Sequence, residues 1–377
     1  MSFILSPTLY FRRNPTRTLP LVMVVSLAVI LIASVVTIVR SIDLTVYTLY
    51  GYNRYLTGLT PRNVLAIDEE AEAKIKKLPQ VLLYAPAHSY QTQIKTIFGK
   101  MVFPVFGLEA EARTLLLERC GVTLSEGKMP KESEAEAVIP EDVAKNIGVK
   151  VGDTLLGPEL EDQYAPITVK LVGLLRGPVW VGLTSKSVVD QNSPFTWQGA
   201  LVFAKTPALQ RELDAEIVRL VPKSKARVWT FAVLQRETRN ALQNLYLILD
   251  LIVAIIVFAI AFVCALLSNI YYTQRLPEIG TLAALGFTRA QLLRRSFGET
   301  AWLCGLGWLI GVTLTVTLLM SIKAVVLSPR GLLLDPVDWL ALLFTLPLPI
   351  AITLTALVTV SLRLKALDPV SIIERRG

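Results

Sequence analysis

The chain has 377 residues, of which 53% are hydrophobic and only 18% charged, with a formal net charge of +8 at pH 7. In a soluble protein that basic excess would point to nucleic acid or an anionic surface. Here acid and base are nearly balanced between Arg40 and Asn240, and the excess sits in short segments flanking apolar runs. Both an ordinary soluble domain and a nucleic-acid binder are excluded, and the pattern is that of an integral membrane protein.

Residues 1–18 carry Arg12, Arg13 and Arg17 ahead of an uncharged apolar run, residues 19–39. As a helix that run reaches about 31 Å, against a hydrocarbon core of about 30 Å. It is too long for a signal-peptide apolar region of about 7–15 residues, so a retained first span is expected. Residues 40–240 then form one large insert. Strand-like runs fall at residues 63–67, 81–85, 91–97, 101–106, 167–175, 200–203 and 227–231. Helical signals fall at 140–147 and at 207–220, where Leu209, Leu213, Ile217 and Leu220 share a face. Residues 121–133, 157–164 and 184–194 read as loops. A mixed α+β domain is expected.

Residues 241–272 hold the stalk and second span. From Asn240 to Tyr272 there is no Pro or Gly, which allows roughly 50 Å of helix. The excess is expected to stand outside as a stalk, paired with the segment after the first span. Asp250 would then lie near the outer boundary, escaping a midplane cost of about 2.5–3.5 kcal/mol. The remaining pieces are a cytoplasmic loop (273–300), a third span (301–322), an external loop (323–338), a fourth span (339–361) and a basic tail (362–377) with Arg363, Lys365, Arg375 and Arg376. Short loops rich in Lys and Arg stay in the cytoplasm, which places both termini and the 273–300 loop inside. The expected fold class is four transmembrane α-helices in one-plus-three order. The large mixed α+β extracytoplasmic domain is inserted between the first and second.

Catalytic sets are missing. The single histidine, His88, has no second histidine for a zinc-protease pair and no triad partners in sequence. Asp68, Glu69 and Glu70 form a charged run that reads as a solvated face. No P-loop lysine motif occurs; Gly148 and Gly152 are the nearest glycine pair and lack its spacing. Cys264 and Cys304 fall in spans, leaving Cys120 alone outside without a disulfide partner and reading as a small buried apolar residue. Gly305, Gly307 and Gly311 in the third span are candidates for close helix contact. No cofactor and no metal site are expected in this chain.

The cytoplasmic segment carries the strongest local signal. Pro277 and Glu278 suit a first helical turn. Ile279, Leu282, Ala283 and Gly286 fall on one face, and Gly286 can take the left-handed conformation that ends a helix. Thr288 with Gln291 forms a capping box for the next helix, and Phe287 with Leu292 a hydrophobic staple. A short, separately capped helix over 277–286 is expected, lying either in the lipid headgroups or against a cytoplasmic partner.

Arg275-x-x-Glu278-Ile-Gly-x-Leu-x-Ala-Leu-Gly286-x-x-x-x-Gln291 resembles the coupling-helix signature of FtsX-like ABC permeases, in the MacB and lipoprotein-releasing branch. The basic lead-in Arg12–Leu19, the ending Ala366–Ile373, and residues 135–154 with 167–176 are similar to other parts of that family. The resemblance implies a permease subunit for export or mechanotransmission in a bacterial inner membrane. Its coupling residues would be Arg275, Pro277, Glu278, Ile279, Leu282, Ala283, Leu285 and Gly286. The implied partners are an ABC ATPase that binds the ATP, a second permease chain (identical or not), the bilayer and, as an optional component, a periplasmic adaptor. The family's MacB type carries its ATPase ahead of the first span; with about 18 residues there in this sequence, the ATPase is expected on a separate chain. A membrane sensor signalling inward through a partner is the alternative from another class. An intramembrane enzyme is a third, opposed by the missing catalytic set.

Overall fold

The computed structural model describes residues 15–192 and 198–366. The basic residues Arg12 and Arg13 and nearly all of the Ala366–Ile373 ending fall outside this range. The chain divides into two compact units. One is helical, formed by the segment up to Arg40, Leu245–Lys323 and the segment from Asp335 onward. The other is mixed, formed by Ser41–Asn244 with Ala324–Leu334.

The helical unit contains α1 (Pro15–Tyr50, whose last turns belong to the mixed unit), α8 (Gln243–Ala284), α9 (Arg289–Ile322), α10 (Trp339–Leu343) and α11 (Pro347–Ala366). At 1.5 Å per residue α1, α8 and α9 measure about 54, 63 and 51 Å, each well beyond a bilayer core. Their buried cluster joins Leu21, Val22, Val25, Val29 and Ile32 of α1 to Leu303 and Cys304 of α9 and Leu348 and Ile352 of α11. The glycines explain how closely α1 and α9 approach. A Cβ on Gly307 would lie 3.0 Å from the Val22 carbonyl oxygen, and one on Gly311 2.7 Å from Val29 Cβ. The Ser26 hydroxyl donates to the Gly307 carbonyl at 2.8 Å. Gly305 faces open space, so only two of the three candidate glycines serve the contact. Where a single fourth span was expected over 339–361, the chain breaks at residues 344–346 and restarts at Pro347. Pro347 and Pro349 donate no amide hydrogen, so they suit the first turn of α11 and not the interior of a continuous helix. Asp338 caps α10 through the amides of Leu340 and Ala341 and pairs with Arg40.

Among the described residues the mixed unit has ten strands: β1 (Thr57–Pro61), β2 (Val81–Thr96), β3 (Gly99–Leu108), β4 (Thr123–Gly127), β5 (Glu136–Pro140), β6 (Thr154–Leu156), β7 (Val169–Arg176), β8 (Gly182–Ser185), β9 (Gly199–Ala204) and β10 (Ala226–Trp229). Their order is β10-β1-β9-β2-β3-β8-β5-β7-β4, with β6 paired to β7. Helices α2 (Glu69–Lys76), α3 (Ala110–Cys120), α4 (Glu141–Ile147), α5 (Lys186–Asn192), α6 (Gln210–Leu220) and α7 (Phe231–Ala241) complete it. The expected mixed character is what is found.

Several segments differ from expectation. Residues 63–67 are not a strand; Asn63 turns the chain at φ 59° and pairing occurs earlier, in β1. The runs at 81–85 and 91–97 are one strand, because β2 keeps extended geometry past Pro86 while changing its neighbour. The loop expected at 121–133 contains β4, and that at 184–194 contains α5. The acidic run Asp68–Glu70 opens α2, where carboxylates favour the positive end of the helix dipole. The α6 face holds as read: Leu213 and Ile217 are fully buried, with Leu209 and Leu220 packed against the same cluster. Burying one such side chain contributes about 1.5–3 kcal/mol. The expected unbroken stalk helix is interrupted at Leu242, between α7 and α8. Thr238 and Asn240 just before the break are weak helix formers. Across from it, the end of α1 meets the start of α7: Tyr47 and Phe231 pack edge to face, and the Arg54 guanidinium lies over both rings.

The external loop expected at 323–338 is structured rather than free. It closes α9 with a π-turn and a 3₁₀ turn, Lys323–Leu327 and Ser328–Arg330, and residues 324–334 pack in the mixed unit. Gly331, at φ +60°, sits against α4 so closely that a Cβ would lie 1.9 Å from the Asp142 carbonyl oxygen. The Asn146 amide donates to the Arg330 carbonyl at 3.0 Å and also pairs with both backbone groups of Lys95.

Candidate functional site

The short separate helix expected over 277–286 does not exist as such. Residues 277–284 are the last two turns of α8, which runs without interruption through Pro277. A proline removes one amide donor, and the helix runs on through both Pro277 and Gly280 to end at Gly286. For Arg275, Pro277, Ile279 and Ala283 the backbone is described and the side chains lie outside the description.

What the sequence reading placed correctly is the turn. Gly286 has φ +92°, and the Phe287 amide donates back to the Leu282 carbonyl at 3.2 Å. That six-to-one bond with a left-handed residue before it is a Schellman ending, which satisfies the last carbonyls of α8. Two residues later Thr288 starts α9: its hydroxyl accepts from the Gln291 amide while the Gln291 side chain accepts from the Thr288 amide, at 3.4 and 2.9 Å. Both ends of the turn are therefore closed by their own side chains and backbone, which leaves a rigid corner between two long helices.

Of the expected face, the described side chains are those around Leu282 and Gly286. Leu282 packs against the helical unit's core cluster, and half-buried Glu278 is engaged by its surroundings. Outward stand Leu285, 72% exposed, Gly286 and Phe287, 39% exposed. Phe287, read from sequence only as a staple, lines a hollow of about 420 Å³ together with Leu292, Arg294 and Arg295. In the same hollow Glu299 is 3% exposed and accepts from Arg295 at 3.1 Å. The corner thus presents an apolar knuckle beside a basic wall.

Elsewhere, His88 is buried against Asp190, with 3.0 Å between Nε2 and Oδ1, and Lys186 reaches the same carboxylate at 2.7 Å. Burial lowers the His88 pKa, and the Lys186 charge adds to that against the pull of Asp190. This is a packed ion-pair group with no nucleophile built into it. Cys120 is buried, and burial alone pushes its thiol up to about 12, which makes it inert. Among the described residues no cluster of His, Cys, Asp and Glu could hold a metal ion.

Residues 251–369, covering most of α8, the capped corner, α9, α10 and α11, match the family described as FtsX-like permease C-terminal. This part of the chain is thus similar to the C-terminal part of FtsX-like permeases, a membrane-embedded class. The mixed unit's strands lie outside the match. Its partial likenesses among solved structures include the periplasmic region of MacB from Actinobacillus actinomycetemcomitans, at 10% identity over 49% of this chain and 93% of that one, with a TM-score of 0.30. Another is the extracellular domain of the ABC-type transporter YknZ from Gram-positive bacteria, at 11% identity over 46% of this chain and 100% of that one, with a TM-score of 0.28. At such scores neither carries weight for function. No curated protein matches the sequence.

Proposed function

We propose that the chain is the permease subunit of an ABC transporter complex, receiving ATP-driven movement at the α8–α9 corner and passing it to the mixed unit outside the membrane. The observation that carries this reading is the corner itself, within the region matching FtsX-like permeases. An exposed Leu285–Gly286–Phe287 knuckle is fixed by a Schellman ending and a capping box to two helices of 42 and 34 residues. Each exceeds a bilayer thickness, so a push at the corner moves long levers rather than a loose loop.

Leu282, one turn before the knuckle, transfers that push to the α1, α9 and α11 cluster. Four spans, with both termini and the corner in the cytoplasm of a bacterial inner-membrane protein, follow from the basic segments beside each apolar run. The nucleotide is bound by an ATPase, since this sequence has no P-loop. A second permease chain would cover part of α8, whose apolar residues Leu251, Ile255 and Phe258 are exposed; lipid would cover the rest.

The test is copurification of an ABC ATPase with the tagged chain from its native membrane. Leu285→Asp and Phe287→Asp are expected to abolish copurification, and Gly286→Val and Glu278→Lys to uncouple ATP hydrolysis from transport. Leu124→Asp, exposed in the mixed unit, is expected to change neither. Full association of both aspartate variants would overturn the docking assignment.

A further inference from the structure

β2 belongs to two neighbours in turn. Val81–Ala87 ladders with β9, and His88–Thr96 with β3. Where the strand changes partner, β1 and β9 diverge from β3 and a hollow of about 530 Å³ opens on one face of the sheet. The pleat decides what faces it. Tyr90, Ile94, Phe103 and Val105 are buried on the opposite face, so Ser89, Gln91, Val102, Pro104 and Phe106 alternate onto this one. Leu59, Ala87, Ala200 and Leu201, all buried, also line it. The far wall comes from the end of α1 and the turn after it, with Trp229 of β10 and Leu234 of α7.

The aromatic wall is held before anything binds. Trp229 Nε1 donates to Thr60 Oγ1 at 2.9 Å, and the Arg227 guanidinium lies 4.1 Å from the indole centroid. Tyr52 meets Phe106 edge to face at 5.4 Å. Among the described residues no Asp, Glu, Lys or Arg lines the hollow. Its titratable groups are tyrosine hydroxyls, with Tyr52 and Tyr50 pushed upward by burial, and His88, pushed downward. All are neutral near neutral pH. A charged ligand would shed its hydration here without a charged side chain in direct contact among the described lining residues, a cost of several kcal/mol. Buried Asn53 and the more open Ser89 and Gln91 supply hydrogen-bonding groups to an otherwise apolar surface. The volume falls in the range of about 300–1,000 Å³ typical of small-molecule sites.

We propose that this hollow, where β2 passes from β9 to β3, binds an uncharged small molecule with an apolar body and one or two hydrogen-bonding groups. The site lies wholly within the mixed unit and does not depend on the ATPase reading. Its test uses the full chain in lipid nanodiscs with N-phenylnaphthylamine, a neutral fluorescent probe, and empty nanodiscs as the lipid blank. A saturable increment over the blank is expected. Val102→Trp, from a half-exposed position, fills the hollow and is expected to weaken binding by about tenfold or more. Gln91→Trp serves the same purpose should Val102→Trp not fold, and Leu124→Trp, outside the hollow, is expected to bind as wild type. Anilinonaphthalene sulfonate, with a similar ring system and a negative charge, is expected not to compete. No increment over the blank, equal binding by both filling variants, or equal competition by the anion would each overturn the proposal; the first is also the result if the hollow receives a partner's side chain.

Discussion

Gly331→Ala is expected to release the segment between α9 and α10 from the mixed unit while leaving the sheet intact. Two costs add at this position. An L-residue in the left-handed region costs roughly 1–2 kcal/mol. The new Cβ would stand 1.9 Å from the Asp142 carbonyl oxygen and 3.0 Å from the Asn146 amide nitrogen, both backbone atoms of α4 that cannot rotate away. The segment must therefore withdraw, and the Asn146–Arg330 hydrogen bond goes with it, a further loss of about 1 kcal/mol. The sum, about 2–3 kcal/mol, corresponds to exchange of the segment's amides faster by about thirtyfold to 150-fold.

The amides of Gly331 and Leu332, bonded at 3.1 and 3.0 Å to Ser328 and Leu327, are the reporters. Hydrogen exchange measured by mass spectrometry on the full chain in nanodiscs reads them directly, with β5 and β7 amides as the unchanged reference. Exchange within about threefold of wild type would mean that Gly331 does not lock the segment against α4 and would refute the reasoning.

Three further outcomes are expected. Gly311→Leu should weaken the α1–α9 contact by more than the usual overpacking cost of about 1–3 kcal/mol, whereas Gly305→Leu, facing open space, should leave thermal stability in detergent near wild type. Asp214 is half-buried, and that burial raises its pKa above 3.8, with donations from Thr57 and Gln210 opposing. Its contribution to stability is present below 3.8 and lost as pH rises through the folded value. Asp214→Asn should then raise the melting temperature at neutral pH and do little below 3.8. For His88 the folded pKa lies below 6.5, through burial first, then Lys186, against Asp190. The unfolded chain binds the proton more readily, so stability is full above 6.5 and declines as pH falls from there toward the folded value. His88→Gln should flatten that decline in thermal unfolding followed across the same range.

Local features of the site were legible in the sequence and long-range ones were not. Gly286, Thr288 and Gln291 were readable because a helix ending and a capping box are decided within a few residues. The α6 face was readable because its period of 3.6 survives in Leu213 and Ile217. Pro277 misled, since a proline near polar residues resembles a helix start, whereas α8 runs through it with Leu282 packed on the helical unit's core. The hollow left no sequence signal at all. It depends on β2 pairing with β9, more than a hundred residues later, before it pairs with β3. Likewise nothing local announces that residues 324–334 rest on α4, apart from a glycine whose neighbour lies far upstream.

Because a single ribbon is stitched to both flanks of the ten-stranded sheet, neither flank can slide past the other by less than one full pleat without turning its inward side chains outward. A load applied at either margin would therefore cross the plate without being spent on internal shear.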